Sequence, residues 1–520
     1  MSSLPQIIRR TVQQNGNRTA TRFNGRDRSW SELQDRVSRL AGALRSLGTG
    51  EGDRIAVLAL NSDRYYEFYF GVAWSGAVFV PINTRLAPAE FIHWLNDSGS
   101  MALFVDDAFL EAIAGIRERL DSVRHFVYMG DGALPDGYLA YEDLVASHQP
   151  VPPTDRGGDD LVGLFYTGGT TGKSKGVMLS HRNLACNVLQ SLPSFRILPD
   201  DVFLHAAPMF HLADGFFCMI AATLGCTNVI VPAYEPTLVL QTLQEEKIRT
   251  ALLVPTMINM LVNHPAIGDY DLSALESLLY GASPMPEAVI LKAMEVIPHV
   301  RFFQAYGQTE ASPVATVMGP EYHTVDGPLA GKLKGAGMAV AGVDLAILDD
   351  DGNILPPGEV GEVCIRGDNV MLGYWNLPEI TQETLRGGWL HTGDGGRLDE
   401  EGMLFIVDRV KDMIVSGGEN VYSAETEQAV YAHPAVAECA VIGIPHDAWG
   451  EQVHAIVVLK AGETLTEEEL IEHCKSLIAG YKCPRSVTFR DEPLPLSGAG
   501  KILKKDLRAP YWEGRDRNVG

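Results

Sequence analysis

The sequence predicts an α/β protein with a large N-terminal domain of two parallel α/β subdomains and a β-rich subdomain, followed by a small α+β C-terminal domain. Three observations support this prediction. Over the first 300 residues, continuous apolar runs alternate with segments whose apolar residues are spaced as in a helix. This pattern is typical of parallel strands covered by helices. Short strand patterns with turn signals begin after about residue 335. Two further strands and two helices follow after about residue 410.

A helix is predicted to begin at Ser31, which can cap it, and to end at Gly48. Apolar residues at helical spacing would form its buried face: Leu33, Val37, Leu40, Leu44 and Leu47.

Buried strands are predicted where apolar residues run together, at 55–60, 102–105, 202–204, 229–231 and 251–254. The apolar stretch 216–231 is interrupted by polar residues and by Gly225. It therefore predicts a buried helix, a stop at Gly225 and a strand, and no integral membrane segment. Residues 150–160 are rich in proline, glycine and aspartate, which predicts a linker.

The pattern changes twice in the last third of the chain. Strands at 343–348 and 360–365 flank a turn signal at 349–353. Strands at 437–444 and 453–459 accompany helices near 424–432 and 466–477, enough for a small α+β unit. We therefore predict an N-terminal domain of residues 1–410 and a C-terminal domain of residues 411–520.

Charge and cysteine content exclude several classes of protein. The 520 residues carry a formal net charge of −24, which argues against nucleic acid or an anionic membrane as the main partner. An anionic ligand must therefore be held by local donors. The seven cysteines are scattered, which predicts free, buried thiols in a reducing compartment. The N-terminus lacks a secretory signal pattern, so a cytoplasmic location is expected.

A Gly/Thr-rich segment, which we call the Gly/Thr loop, gives the strongest chemical signal. Glycine backbone N–H groups can turn toward an anion, threonine hydroxyls add donors and lysine adds charge. The loop follows the apolar run 161–166, so it would leave the end of a buried strand. The candidate phosphate-binding residues are Thr167, Gly168, Gly169, Thr170, Thr171, Gly172 and Lys175.

Two other interpretations of the Gly/Thr loop stay open. A kinase or ATPase P-loop needs a glycine at position 167, which is Thr167, so that spacing fails by one residue. A flexible surface loop is the second alternative.

Four further segments contain residues suited to a nucleotide. An aromatic ring can stack on a purine, and a nearby hydroxyl and carboxylate can meet phosphate and Mg²⁺. Each segment alone is more typical of an ordinary turn or of solvated charge. The residues concerned are Tyr306, Thr309 and Glu310, then Asp394, then Arg409 and Lys411, and finally Lys501 after a Gly-rich loop.

Taken together, in this order and at these separations, the five segments resemble the acyl-adenylate-forming superfamily. That family includes acyl-CoA synthetases, the adenylation domains of peptide synthetases and beetle luciferases. The resemblance covers the chain from about residue 10 to residue 508. Gly169 and Ser423 depart from the serine and proline usual in the family, at positions without a catalytic role.

The resemblance implies an ATP site. The Gly/Thr loop would hold the β- and γ-phosphates, and Asp394 with Arg409 would hold the ribose hydroxyls. The base would stack on Tyr306. The implied adenine slot comprises Gly281, Ala282, Ser283, Gln304, Ala305, Tyr306 and Gly307.

The resemblance also implies the catalytic roles. Thr309 would bond the α-phosphate, and Glu310 would ligate Mg²⁺. Lys501 would contact both the acid's carboxylate and the α-phosphate, while His211, in the segment 208–211 that lines the acyl pocket, would lie near that carboxylate.

A mobile C-terminal domain is implied as well. It would rotate between the two half-reactions about a hinge at Lys411. Ser416, Gly417 and Gly418 would then line the tunnel for the thiol.

The implied activity is that of an AMP-forming acyl-CoA ligase that uses ATP, Mg²⁺ and, as co-substrate, coenzyme A. We expect a small carboxylic acid, either a medium- or long-chain fatty acid or an aryl acid. This rests on mostly apolar pocket-side candidates: Leu212, Ala213, Phe216, Phe217, Met257 and Val314.

Several alternatives stay open at this point. A stand-alone adenylating enzyme that serves a carrier-protein thiol is the main one. A substrate amine is not expected, because Asp214 lies three residues beyond the position where amine-binding relatives have aspartate. A non-catalytic nucleotide-binding protein would be expected to lack Lys501 or Glu310. A homodimer is left open.

Overall fold

The computed structural model describes residues 3–167, 174–409, 412–416, 419–446, 449–497 and 500–513, with the backbone alone at 408, 409, 415, 419 and 420. The strands of this part, numbered along the chain, are β1 (Thr19–Phe23), β2 (Arg26–Ser29), β3 (Arg54–Leu58), β4 (Val78–Pro81), β5 (Ala102–Val105), β6 (His125–Tyr128), β7 (Leu139–Ala140), β8 (Leu161–Thr167), β9 (Lys175–Ser180), β10 (Val202–His205), β11 (Thr227–Ile230), β12 (Thr250–Leu252), β13 (Ser277–Gly281), β14 (Arg301–Gly307), β15 (Val314–Met318), β16 (Met338–Ala339), β17 (Val343–Leu348), β18 (Gly361–Gly367), β19 (Gly373–Tyr374), β20 (Leu390–Leu398), β21 (Leu404–Arg409), β22 (Ile414–Ser416), β23 (Glu419–Val421), β24 (Val436–His446), β25 (Gly450–Leu459) and β26 (Ser486–Arg490).

The α-helices of the same part are α1 (Leu4–Asn15), α2 (Trp30–Ser46), α3 (Asp63–Ser75), α4 (Pro88–Ser98), α5 (Leu110–Ala114), α6 (Tyr141–Ser147), α7 (His181–Phe195), α8 (Leu212–Leu224), α9 (Pro236–Glu245), α10 (Pro255–Val262), α11 (Glu287–Val296), α12 (Pro378–Thr384), α13 (Ser423–Tyr431), α14 (Glu467–Lys475) and α15 (Lys504–Arg508). None of them is both long enough and apolar enough to cross a membrane.

Two large sheets form the N-terminal part. The first has the strand order β16-β15-β14-β13-β12-β10-β11-β1-β2 and is parallel from β14 to β1, with antiparallel edges. The second has the order β19-β9-β8-β4-β3-β5-β6-β7 and is parallel from β8 to β7. Strands β9 and β19 extend it in antiparallel fashion.

The main core lies between these two sheets. Its largest apolar cluster takes buried residues from both sheets and from helices packed against them, among them Leu40 of α2, Phe68 of α3, Val188 of α7 and Phe216 of α8. Helices α2 and α3 pack their apolar residues into this core. Strands with helices or a second sheet on each face are buried on both sides, which explains the continuous apolar runs in the sequence.

Two smaller sheets follow. Strands β17-β18-β20-β21 form an antiparallel sheet. The last sheet has the order β23-β22-β25-β24, with β26 parallel to β25. The predicted fold class is confirmed, while the division at residue 410 stays a prediction.

Local predictions fare differently. Helix α8 does end at Gly225, which adopts the left-handed conformation at φ 76°. The predicted cap at Ser31 is wrong: Ser29 caps α2, accepting from the backbone N–H of Glu32 in a reciprocal capping box. The turn at 349–353 begins a longer connection that reaches β18. All seven cysteines are free and six are buried, as predicted.

Candidate active site

The candidate residues converge at the carboxyl ends of parallel strands, where open α/β sheets place their ligands. Thr167 ends β8, Gly281 ends β13 and Gly307 ends β14, so the two sheets each contribute an edge. Residues 168–173 of the Gly/Thr loop lie outside the described residues, as do Lys411, Gly417 and Gly418. Ser416 ends β22, where it is buried and pairs with Gly450.

Glycine is required at two positions by close backbone contacts. A Cβ on Gly281 would lie 2.3 Å from the carbonyl oxygen of Ala305, on the neighbouring strand. A Cβ on Gly307 would lie 1.9 Å from the carbonyl oxygen of Pro313. The chain leaves β13 through Ala282, in the left-handed region at φ 66°, and then Ser283. These contacts shape the edge beside Tyr306.

Tyr306 and Asp394 meet across two sheets. The Tyr306 hydroxyl donates to Asp394 Oδ2 at 2.8 Å, and the Asp394 carboxylate is only 7% exposed. The backbone N–H of Asp394 donates to the hydroxyl of Thr392. Arg409 pairs with Asp394 in the register of β20 and β21, although only its backbone is described. The structure thus brings the predicted base-stacking and ribose-binding residues together.

A buried relay orients the Gln304 amide. The Tyr280 hydroxyl lies 2.9 Å from His323 Nε2 and 3.2 Å from the atom assigned as Gln304 Oε1. Burial lowers the pKa of His323 to about 4, so the ring is neutral at pH 7. His323 Nδ1 donates to the carbonyl of Gly319, which leaves Nε2 to accept the Tyr280 proton.

The relay has a consequence for the amide. The single hydroxyl proton of Tyr280 goes to His323, so this hydroxyl can only accept from Gln304. The amide atom facing it is therefore better assigned as nitrogen, since the two ends of an amide are told apart by their hydrogen bonds. The Gln304 carbonyl oxygen is then directed away from Tyr280. Sequence reasoning did not identify Tyr280 or His323.

Glu310 lies in a short 3-10 helix, Thr309–Ala311, directly after β14. Its carboxylate is 8% exposed, and Oε1 accepts from the Tyr374 hydroxyl at 2.8 Å. The Lys175 ammonium lies 4.2 Å from the centroid of the same tyrosine ring. Tyr374 thus joins two predicted site residues that come from different sheets. No local sequence signal pointed to it.

Thr309 and Glu310 retain unused oxygen atoms. The Thr309 hydroxyl and Glu310 Oε2 have no hydrogen-bond partner within the part of the chain that the structure describes. The Glu310 carboxylate oxygen is the hard ligand type that Mg²⁺ prefers, and the Thr309 hydroxyl can donate to a phosphate oxygen. Since Mg²⁺ is commonly held by one or two carboxylates together with substrate phosphates, this donor set fits the ion.

Lys501 reaches the N-terminal part of the site. Burial, followed by the charge of Lys501, lowers the pKa of His211 to about 3. Lys501 belongs to a loop in which its N–H donates to Ser497 Oγ and its carbonyl accepts from the Ser497 N–H. Arg85 Nη1 donates to the carbonyl of Ser497 at 3.0 Å, which ties this loop to the N-terminal sheets.

The neighbouring glycine also packs against the N-terminal part. The position of a Cβ on Gly500 is 3.3 Å from Val254 Cγ2 and from Thr256 Oγ1. The predicted catalytic lysine and His211 are therefore brought to one place by two separate regions of the chain.

The state of His211 follows from its surroundings. Its Nδ1 accepts from the backbone N–H of Ala213 at 3.2 Å, and His211 caps helix α8. With a pKa near 3 the ring is neutral at pH 7, so the second nitrogen, Nε2, carries the proton. His211 can donate one hydrogen bond and adds no charge.

The pocket-side candidates divide into two groups. Phe217 stacks on Phe203 and meets Phe195 edge to face, so it is a core residue, and Phe216 is fully buried in the same cluster. Asp214 is fully buried and bonds His205 at 3.0 Å.

The remaining candidates are apolar and mostly buried. Leu212, Met257 and Val314 are each less than one tenth exposed, and Ala213 is half-buried. They lie in helices α8 and α10 and at the start of β15, and His211 is the N-cap of α8.

Comparisons with known proteins give two family matches and several full-length relatives. Sequence models of the AMP-binding enzyme family and of the AMP-binding enzyme C-terminal domain match residues 8–375 and 425–501. The chain is 39% identical to a feruloyl-CoA synthase of an Amycolatopsis species, over 95% of this chain and 96% of the relative. It is 36% identical to the fatty acid–[acyl-carrier-protein] ligase ScoC of Streptomyces coeruleorubidus, over 95% and 94%.

A solved structure gives the same result for the fold. The anthranilate CoA ligase AuaEII, in complex with anthranoyl-AMP, superposes with a TM-score of 0.90 at 27% identity. The match covers 98% of this chain and 97% of that one.

Proposed function

The chain belongs to the AMP-binding enzyme family and is an AMP-forming acid–thiol ligase, and we propose that it converts a fatty or aryl carboxylic acid to its coenzyme A thioester. The first half-reaction would join the acid to ATP, giving acyl-AMP and pyrophosphate. In the second, the thiol of coenzyme A would replace AMP.

The approach of Lys501 to His211 carries this proposal. Gly500, next to Lys501, packs against Val254 and Thr256, and the charge of Lys501 acts on the neutral donor His211, so the pair would suit a carboxylate. The chain neighbours Leu212 of α8 and Met257 of α10 are buried and apolar. Apolar surroundings suit a fatty or aryl acid. The relatives' names support both acid classes, since they concern a feruloyl, a fatty and an anthranilate group.

The residue types suit the first half-reaction. The acid's carboxylate must approach the α-phosphate, and two unit charges 4 Å apart repel by about 4 kcal/mol at an effective dielectric near 20. Lys501 offsets this repulsion and the Nε2–H of His211 can donate to the carboxylate. Thr309 donates to the α-phosphate. Such preorganised donors stabilise charge as it develops in the transition state.

The nucleotide itself would be held by groups on both sheets. The base stacks on Tyr306, and the Gln304 carbonyl oxygen can accept from the exocyclic amine of adenine. Asp394 and Arg409 take the ribose hydroxyls, and Lys175 with the Gly/Thr loop takes the leaving pyrophosphate. Mg²⁺, held by Glu310, would neutralise phosphate charge and fix the phosphate geometry.

The second half-reaction breaks the acyl–phosphate bond. The thiol sulfur attacks the acyl carbon, AMP leaves with the electron pair of the C–O bond, and the thiol proton goes to solvent. Lys501 serves only the first step, so the C-terminal domain, 411–520, would rotate about Lys411. Ser416, Gly417 and Gly418 would then line the thiol's path.

Coenzyme A is the proposed thiol. Delivery to a carrier protein is not favoured, because the feruloyl-CoA synthase and the anthranilate CoA ligase are both CoA enzymes by name. A cytoplasmic location remains part of the proposal.

The test is a coupled pyrophosphate assay over short, medium and long fatty acids and a set of aryl acids. We expect pyrophosphate and AMP with at least one acid, and thioester when coenzyme A is added. Formation of ADP would contradict the adenylation chemistry. Product formation with an acyl-carrier protein but not with coenzyme A would contradict the proposed thiol.

A further inference from the structure

Tyr374 touches the two ends of the phosphate site, Glu310 and Lys175. We propose that Tyr374 is a positioning residue with two separable functions: its hydroxyl aims the metal-binding carboxylate, and its ring holds the phosphate-binding lysine. This inference rests on the proposed function, because it assumes that Glu310 meets the metal and Lys175 meets the phosphates.

The hydroxyl is fixed as a donor. A carboxylate oxygen can only accept, so the phenol proton of Tyr374 lies in its bond to Glu310. The bond to Glu310 Oε1, 2.8 Å long, stops the carboxylate from rotating. Oε2 is then the oxygen presented to a cation. Groups that hold a metal ligand in this way commonly tune metal affinity by 10- to 100-fold.

The ring acts on the other partner. A lysine ammonium 4.2 Å from a ring centroid is within the range of a cation–π contact. Both Lys175 and Glu310 lie within the described part of the chain, and no ion pair joins them. The ring thus gives the Lys175 ammonium a partner other than the Glu310 carboxylate. The ammonium then remains available to phosphate, and the carboxylate remains available to the metal.

The backbone holds Tyr374 rigidly in this place. Strand β19 pairs with β9, setting Tyr374 opposite Val177, two residues after Lys175. The Tyr374 N–H donates to Thr381 Oγ1 at 2.8 Å. The backbone N–H of Met371 donates to the carbonyl of Glu310 at 2.9 Å, so the same segment also fixes the metal-binding turn.

Two variants separate the functions. Tyr374→Phe removes the hydroxyl and keeps the ring, whereas Tyr374→Leu removes both. The metal readout is Mn²⁺ binding in the presence of a non-hydrolysable ATP analogue. Binding is measured from the electron paramagnetic resonance signal of the free Mn²⁺ that remains. The phosphate readout is binding of the same analogue with the metal chelated.

We expect both variants to weaken Mn²⁺ binding by about tenfold. Metal-free analogue binding should be unchanged in Tyr374→Phe and about fivefold weaker in Tyr374→Leu. With saturating metal, Tyr374→Phe should recover most of the wild-type adenylation rate, which a merely structural defect would not allow.

A matched control is available in the core. Tyr141 donates to Glu67 Oε2 at 2.7 Å, a buried hydroxyl–glutamate bond of the same kind in another part of the N-terminal sheets. Tyr141→Phe should lower thermal stability and leave Mn²⁺ and analogue binding unchanged.

Wild-type Mn²⁺ affinity in Tyr374→Phe would overturn the role of the hydroxyl. Equal metal-free analogue binding in the two variants would overturn the role of the ring. These binding measurements do not depend on turnover, so a wild-type enzyme that releases no pyrophosphate with any acid would refute the proposed function alone.

Discussion

The nucleotide edge of the N-terminal sheets and the loop that carries Lys501 are held in contrasting ways. At the nucleotide edge, Glu310 and Asp394 are each less than one tenth exposed, and each accepts a hydrogen bond from a tyrosine hydroxyl. The Lys501 loop is joined to the same sheets by an exposed arginine, Arg85, and by the packing of Gly500.

This contrast matches what each group must do. A group that binds ATP through the whole reaction benefits from buried, hydrogen-bonded support, because each buried bond is costly to break. A lysine needed in only one half-reaction must be able to leave, and exposed contacts are weak enough to allow that. We call the contacts of Arg85 with Ser497, and of Gly500 with Val254 and Thr256, the seam between the two regions. The difference indicates that this seam, and not the interior of either region, sets the balance between the half-reactions.

The largest expected effect tests the division of labour directly. Lys501→Ala should slow acyl-AMP formation by at least about a hundredfold, because it removes a preorganised cation from the transition state. Thioester formation from supplied acyl-AMP should be largely spared. Pyrophosphate release and thioester formation measure the two steps separately.

The control for that variant is Lys505→Ala, an exposed lysine of α15 a few residues away. It should leave both steps unchanged. Equal losses in the two half-reactions of Lys501→Ala would show that the lysine serves both and that its loop need not leave the site between them.

Acid should destabilise the C-terminal region through a buried histidine, His454. His454 is 3% exposed, bonded to Ser486, Thr488 and Tyr511, and burial lowers its pKa to about 4. Below pH 6.5 the unfolded chain binds a proton here that the folded chain does not, so stability falls as the pH drops toward 4.

At pH 5 this single histidine should cost about 2 kcal/mol of the free energy of unfolding relative to pH 7. His454→Gln should abolish that part of the acid sensitivity. Hydrogen exchange of strands β25 and β26, corrected for intrinsic rates, measures it. An unchanged pH dependence in the variant would show that His454 is protonated in the folded state.

The next effect concerns the buried nucleotide edge. Tyr280→Phe breaks the relay from His323 and frees the Gln304 amide to turn. The preference for ATP over GTP in pyrophosphate release should fall by about tenfold. This factor corresponds to the loss of a hydrogen bond that contributes about 1 to 1.5 kcal/mol. Tyr141→Phe serves again as the control. A full preference in Tyr280→Phe would show that the amide is oriented by other means.

Sequence reasoning reached some of these features and not others. Thr309, Glu310 and Lys501 were predicted because each lies in a compact local pattern within a recognised order. Tyr374 and Tyr280 were not, because their importance comes from partners brought close only by sheet pairing. No periodicity within a short window encodes such a contact.

The fold shows the same limit at smaller scale. Strand positions followed from apolar runs, whereas the cap of α2 was assigned to Ser31 instead of Ser29. The capping-box signal, a serine followed three residues later by Glu32, was present and could have been used. A local pattern therefore identifies the cap at Ser29, whereas no local pattern identifies the contacts of Tyr374.

The smallest expected effect lies at the seam itself. Arg85→Ala removes the bond to the Ser497 carbonyl, and a net hydrogen bond of about 1 kcal/mol corresponds to roughly a fivefold effect. Acyl-AMP formation should slow by about that factor, while thioester formation from supplied acyl-AMP is unchanged or slightly faster. Arg117→Ala is the control, since Arg117 also donates to a backbone carbonyl, that of Gly137, in an exposed hydrogen bond, and in addition lies over the rings of Phe126 and Tyr138. If both steps slowed equally in Arg85→Ala, the bond would support the site in general. If only the first step slows, a single exposed arginine biases the enzyme toward adenylation, and the weakness of the seam is part of how the reaction proceeds.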